Sequence, residues 1–432
     1  MSVLAVLLIS MTVLFLLGVP IYAALSIAAA LSLATSDILP MAVIQSSFYD
    51  GMNIFPLLAI PCFIVAGALM ERGNITDQII SVVRALAGRI YGGIGITTIL
   101  ACAVFASITG SATSTVAAIG AIMIPAMIRN GYSPAYAGAC SASGGTIGIL
   151  IPPSNPMIIY GVMANVSISG MFAAGFIPGF IMAAALSAMA YLLARQKGFK
   201  ADESIGVFSL REFLKICKDS FFSLATVVIV LGSIYSGIAT PVEASIIAVI
   251  WALFVGAVIN RALTWKDLYD SLVEGVMLCG SITIIVGAST LFGKILTYEE
   301  APVRLANFLI EMTRNKYVII LLIVAMLYVL GMFVETLAMV IIVTPVLVPV
   351  LVELDINLIH FGVIMVMANE VGLLTPPMGV NLFVASRLTS VSVERLSISV
   401  LPYIFVMTLV ILLIVFCAPI STFLPELLGF TK

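Results

Sequence analysis

Charge is what this sequence has least of: Asp, Glu, Lys and Arg together make up 9% of 432 residues, against about 25% in an ordinary soluble domain. Too few charged groups remain to coat a globule of this size in water. The net charge of −2 supplies no basic face for a phosphate backbone, so nucleic acid is not an expected partner. The six cysteines lie far apart with no CxxC pair, and His360 is the single histidine, which leaves no zinc site or disulfide framework. No Gly-rich loop ending in Lys-Ser or Lys-Thr is present, so ATP is not the expected energy source. An intramembrane enzyme would need a buried pair of aspartates or a serine set against a histidine. The aspartates fall in loops or amphipathic stretches and His360 stands alone at a helix start, so no catalytic residues are expected.

What is present is apolar: 62% of the residues are hydrophobic. A helix needs about 20 apolar residues to cross a bilayer, and runs of roughly that length recur along the whole chain without strand-like alternation. The expected fold class is an all-α polytopic membrane protein. The opening "MSVLAVLLISMTVLFLLG" has no basic leader and no A-x-A cleavage site, and is expected to be a retained first helix with no soluble domain before it.

Within this background, "GTIGILIPPSNPMIIYG" (Gly145 to Gly161) carries three prolines and three glycines. They break a helix at a depth where no lipid could satisfy the freed N–H and C=O groups. The break has an echo. "GLLTPPMGVNLFVAS" (Gly372 to Ser386) aligns with Gly148 to Val162 at a shift of 224, pairing Pro152-Pro153 with Pro376-Pro377. Pro20 pairs with Pro241 and Gly110 with Gly331 at 221, and Pro178 pairs with Pro402 at 224. One duplication with small insertions explains the drift.

The expected first repeat is 1–205, with a hairpin about 91–129 and a broken helix about 134–165. The second is 206–432, with a hairpin about 317–351 and a broken helix about 360–387. An amphipathic stretch precedes each hairpin and should lie at the membrane interface: Ile75, Ile79, Val82, Leu86 and Ile90 share one face, as do Leu305, Phe308, Leu309 and Met312. If each hairpin enters and returns on one side, each half crosses an odd number of times and the halves are inverted. With the N-terminus outside, fourteen of the nineteen Lys and Arg residues fall on the cytoplasmic side and only Lys294, Arg304, Arg314, Lys316 and Lys432 fall outside, as the positive-inside rule requires.

Inverted repeats with broken helices and facing hairpins are the architecture of secondary transporters, which bind near the midplane at the repeat interface. Half-helix N-termini offer N–H groups to an anion, and unwound carbonyls suit a small cation. At the first tip, "SITGSATST" sets Ser107, Thr109, Ser111, Thr113, Ser114 and Thr115 about Gly110, although Ser and Thr also serve close helix packing in membranes. Glu335 and Glu370 sit beside the second tip and break, where a buried carboxylate reads as functional, but their first-half counterparts are uncharged. Glu243, in "TPVE", reads as one arm of a capping box and therefore as structural.

The sequences "TGSATSTVAAIG", "GTIGILIPPSNPMIIYG" and "NEVGLLTPPMGVNLFVAS", in this order and spacing, resemble the large membrane subunit of TRAP transporters (tripartite ATP-independent periplasmic, DctM type) over essentially the whole chain. The resemblance implies the inverted-repeat ion-transporter superfamily fold. In it a transport domain of hairpins and broken helices slides as an elevator against a scaffold, expected here at about 1–70, 171–194, 221–292 and 399–424. It also implies sodium-driven import of a carboxylate-bearing solute across the bacterial inner membrane. Sialic acid is favoured and a C4-dicarboxylate comes next. Implied partners are a small four-helix membrane subunit, expected as a separate polypeptide, a periplasmic substrate-binding protein, and membrane lipid. A stand-alone sodium/carboxylate symporter of the same fold, or a channel, is the alternative.

With Na+ as the coupling ion, oxygen ligands at a glycine tip facing a G-x-x-x-P-P break suit a hard cation. One sodium site is expected at Ser107, Gly110, Gly148, Ile151 and Ser154, and its repeat at Gly331, Gly372, Thr375 and Met378. Ser111, Gly145, Asn155, Thr336 and Asn381 are the expected substrate-binding residues. No arginine falls at the midplane, so N–H groups, hydroxyls and amides are left to meet the carboxylate.

Overall fold

A computed structural model of the chain describes residues 3–35, 40–87, 92–199, 209–313, 315–377 and 379–430. Met378, Arg89, Ile90, Arg314 and Lys432 lie outside them. The first half contains α1 (Val3–Leu16), α2 (Ile21–Ala34), α3 (Ala42–Met52), α4 (Ala59–Arg72), α5 (Ile75–Ala87), α6 (Gly93–Thr109), α7 (Ala112–Arg129), α8 (Pro134–Gly145), α9 (Asn155–Met163) and α10 (Ile168–Gln196). The second contains α11 (Leu210–Asp219), α12 (Phe221–Tyr235), α13 (Pro241–Leu253), α14 (Trp265–Tyr298), α15 (Ala301–Met312), α16 (Lys316–Gly331), α17 (Thr336–Glu353), α18 (Leu358–Leu373), α19 (Val380–Thr389), α20 (Val393–Phe416) and α21 (Pro419–Leu427). No strand occurs among the described residues. Seven of the helical stretches described are long and apolar enough to cross a membrane, and shorter apolar helices accompany them.

Local chemistry fixes the helix starts. Ser133 accepts from the Tyr136 N–H at 3.4 Å with Pro134 in the first turn, and Ser167 accepts from Gly170 at 3.0 Å, each satisfying an N–H that the first turn leaves orphaned. The capping box at Thr240 is present: its N–H donates to Glu243 Oε2 at 2.8 Å, and the Glu243 N–H donates to Thr240 Oγ1 at 3.3 Å. The hairpins are α6–α7 and α16–α17, and the broken helices are α8–α9 and α18–α19. The halves differ in their third span, which is one 34-residue helix, α14, in the second half. In the first half it is divided into α3 and α4 by a short 3₁₀ turn at Phe55–Leu58 carrying Pro56.

The interface helices are half as expected. Ile75, Ile79 and Val82 are buried and Leu309 nearly so, but Leu86, Phe308 and Met312 are exposed, the condition of side chains that meet lipid rather than protein.

Packing groups the helices into two sets, which meet where α17 packs on α14 and α6 on α4. α4 packs on α13 and α14, and α14 packs on α2 and α3. The hairpins and broken helices pack on one another and on α10 and α20. Segments 171–194 and 399–424, expected with the scaffold, pack chiefly on the hairpins and broken helices. Their contacts give the reason: the Tyr136 hydroxyl of α8 donates to Ala190 O of α10 at 2.8 Å, and Cys140 of α8 meets the Tyr403 hydroxyl of α20 at 3.1 Å. An apolar span looks the same in sequence whichever body it packs against.

The inverted orientation makes a direct prediction. Arg129, at the end of α7, and Glu300, between α14 and α15, are both exposed. In a cysteine-free background, Arg129→Cys is expected to react with an impermeant maleimide only from the cytoplasm and Glu300→Cys only from outside. Labelling of both from one face would refute the inversion.

Candidate functional site

Each hairpin tip touches a break. Gly110 ends α6 with φ +59°, and a Cβ there would stand 3.0 Å from Pro153 O and 3.1 Å from Asn155 N, so only glycine allows both the left-handed turn and the approach. In the second half the contact is backbone on backbone: a Cβ on Gly372 would lie 2.5 Å from both Gly331 C and Cα. The breaks lie at Leu150–Ser154 and, among the described residues, at 374–377 with Gly379, and each carries its Pro-Pro pair with a cis bond.

A cavity of about 380 Å³ lies between the two tips. Four helices begin on its wall. Ser111, Ala112, Thr113 and Ser114 belong to the start of α7, Asn155 and Pro156 to α9, Thr336 and Leu337 to α17, and Val380 to α19. Helix N-termini carry partial positive charge and free N–H groups, which is how a cavity without a lining lysine, arginine or histidine can still attract an anion. The side chains oppose that attraction. Glu71, Glu274 and Glu335 line the same space; Glu335 caps α17, accepting from Leu337 N at 3.1 Å, and Glu274 is paired with Arg72 at 3.2 Å, while Arg72 also donates to Ser271. An anion entering among carboxylates is opposed by them unless protons or cations offset their charge.

Of the expected substrate residues, Ser111, Asn155 and Thr336 line this cavity. Asn381 is buried one residue past Val380, with neither amide atom partnered. Gly145 is away from it, in α8, where a Cβ would meet Val116 at 2.2 Å and Ala112 O at 3.0 Å. Asn155 Nδ2 donates to Thr109 O at 3.4 Å, and its Oδ1 is buried without a partner.

Among the residues expected at the first sodium site, Gly110 lines the cavity. Ser154 caps α9, accepting from Met157 N at 3.4 Å. Gly148 packs on Ala106 and Thr115, and Ile151 faces Gly179 of α10. Ser107 is buried behind the tip, its hydroxyl bonded to Val104 O at 2.6 Å. At the second site Gly331 and Gly372 are in contact and the Thr375 hydroxyl donates to Val371 O at 2.8 Å; Met378 is outside the described residues. Hydroxyl and carbonyl oxygens at a tip–break contact suit a hard cation.

Sequence alone does not bring Glu71, Glu274 or Asn369 to the site. The first two belong to α4 and α14, whose facing is a tertiary outcome, while Asn369 could have been marked as an amide one residue from a buried glutamate. His360 is not alone either: its Nδ1 lies 2.6 Å from Ser421 Oγ, because α21 folds back on α18. Far from the cavity, this pair ties the last helix down.

The family model for the tripartite ATP-independent periplasmic transporter, DctM component, matches residues 8–420. The chain is similar to the isethionate TRAP transporter permease of Oleidesulfovibrio alaskensis, at 37% identity over 94% of this chain and 64% of that one. It is 34% identical to the C4-dicarboxylate TRAP transporter large permease of Pseudomonas aeruginosa over 88% of each. It is 36% identical to the sialic acid TRAP transporter large permease of Vibrio cholerae over 87% of this chain and 88% of that one. The crystal structure of the Alcanivorax borkumensis YdaH transporter shares the fold with TM-score 0.62, at 15% identity over 88% of each chain.

Proposed function

The chain belongs to the DctM family of tripartite ATP-independent periplasmic transporters, a multi-pass inner-membrane permease, and from that premise we propose that it imports a carboxylate-bearing solute on a sodium gradient. The observation that carries this reading is the cavity itself, where four helix N-termini converge between two repeat-related tip–break contacts and the lining side chains that bear charge are all carboxylates. The N-termini would take the solute's carboxylate, with Ser111, Asn155 and Thr336 fixing its orientation. Sodium at the two tip–break contacts would offset the negative charge and hold both tips closed on the breaks. The body of hairpins, broken helices, α10 and α20 would then carry solute and sodium past α4 and α14.

Names of relatives include isethionate, C4-dicarboxylates and sialic acid, all small organic anions. We place sialic acid first and a C4-dicarboxylate second, delivered by a periplasmic binding protein and with a small membrane subunit bracing the thin scaffold of α1–α4 and α12–α14. With both partners supplied, proteoliposomes are expected to accumulate radiolabelled sialic acid. Accumulation of succinate or isethionate instead would reassign the solute, and full-rate uptake of free solute by this chain alone would contradict the tripartite assignment.

A further inference from the structure

The two halves are not chemically equal at their breaks. At the repeat shift of 224, Asn369-Glu370 stand where the first half has Gly145-Thr146. The first-half pair is closed: Val116 fills the space beside Gly145, and the Thr146 hydroxyl donates to Ser143 O at 2.6 Å. The second-half pair is open. Glu370 is 0% exposed; its Oε1 accepts from the Thr336 hydroxyl at 2.9 Å and its Oε2 has no partner. Asn369 is also 0% exposed with neither amide atom partnered, and its Oδ1 stands 2.8 Å from where a Cβ on Gly331 would be, so it is aimed at the hairpin tip.

We propose that Glu370, Asn369 and the Thr336 hydroxyl form a further sodium site, present in the second half and absent from the first. This rests on the sodium-driven reading and extends it. A buried carboxylate without a counter-charge is strongly unfavourable, and Arg72, which forms an ion pair with Glu274, is engaged elsewhere. Glu335, on the hairpin packed against α18, is a second carboxylate near Glu370. The tyrosines of the packed helices are engaged away from Glu370: Tyr160 with Leu358 O, Tyr328 with Thr408, Tyr403 with Cys140. A proton on Glu370 would neutralise the carboxylate but leave the Asn369 oxygen without a donor. A hard monovalent cation held at the tip between Gly331 and Thr336 would satisfy both oxygens, and these ligands are all oxygen. Because Thr336 also lines the solute cavity, the site couples ion occupancy to the solute wall through one hydroxyl.

The test is the melting midpoint of the purified full-length protein in detergent, titrated with NaCl against choline chloride, which requires neither solute nor partners. Glu370→Gln keeps the size and the Thr336 bond while removing the charge. It is expected to melt no lower than wild type in choline but to show a smaller rise with sodium, the part that remains being that of the two tip–break contacts. Superimposable sodium titrations of the two proteins would overturn the site, and are the result expected if a proton neutralises Glu370. Wild type without any sodium response would overturn sodium coupling itself, which separates the two failures. Should Glu370→Gln not fold, Glu370→Asp, which withdraws the charge from Thr336, is expected to show the same loss; an unchanged sodium response in it would overturn the site equally.

Discussion

A single methyl group on Gly372 is expected to abolish transport. In Gly372→Ala the new carbon would stand 2.5 Å from two backbone atoms of Gly331, and backbone, unlike the end of a flexible side chain, cannot turn aside. Overpacking a well-packed interior costs about 1–3 kcal/mol. Here the strain falls on the contact between hairpin tip and break, so the tip must lift and the carbonyls proposed for sodium must separate. Solute uptake should fall at least about 100-fold, equivalent to about 2.7 kcal/mol, and sodium should raise the melting midpoint less than it does in wild type. Gly280→Ala on α14, where a Cβ meets nothing within 4 Å, is the matched control and should transport within about twofold of wild type, as surface substitutions usually do. Normal uptake by Gly372→Ala would show that the second tip–break contact is not an ion site.

The second large effect is expected at the boundary between the two bodies. Gly67 of α4 sits against the first tip, with a Cβ position 2.9 Å from Thr109 Cγ2 and 3.1 Å from Thr109 Cα. Gly67→Val fills that gap with a branched side chain and should jam the passage of the tip along α4. Uptake is expected to fall at least about tenfold, about 1.4 kcal/mol, while stabilisation by sodium stays close to wild type. The pair of variants therefore divides the mechanism: loss of both properties marks the ion site, loss of uptake alone marks the α4 wall, where Gly67 also lines the solute cavity. If Gly67→Val lost its sodium response as well, α4 would belong to the ion site and the division into bodies would need redrawing.

Much of this architecture is written locally, which is why it can be read without coordinates. Pro152-Pro153 and Pro376-Pro377 cannot continue a helix wherever they fall, Gly110 permits a turn few other residues tolerate, and the Thr240–Glu243 box lies within four residues. The duplication adds a second reading of every break. What the sequence hides is facing. Nothing in the apolar spans 171–194 and 399–424 tells which body they join, because lipid and protein interior ask for the same side chains. Glu71 and Glu274 are 203 residues apart in the numbering and meet only because α4 packs on α14. The pairing of His360 with Ser421 likewise depends on α21 turning back. At the site itself the tip and break residues were legible. That Glu370 has an uncharged first-half counterpart was legible too; the unpartnered atoms of Asn369 and Glu370 beside the closed Gly145 and Thr146 were not.

The central claim is that the sodium gradient drives the solute inward through this chain, and one measurement bears on it most directly. Proteoliposomes carrying the protein with its small membrane subunit and a solute-loaded binding protein outside are given an inward sodium gradient, and internal solute is followed with time. One sodium moving inward across 100 mV supplies about 2.3 kcal/mol, about fiftyfold in concentration. The account predicts accumulation well above the outside level, collapsing when a sodium ionophore is added. Equal uptake with choline in place of sodium, or solute that merely equilibrates across the membrane, would contradict it.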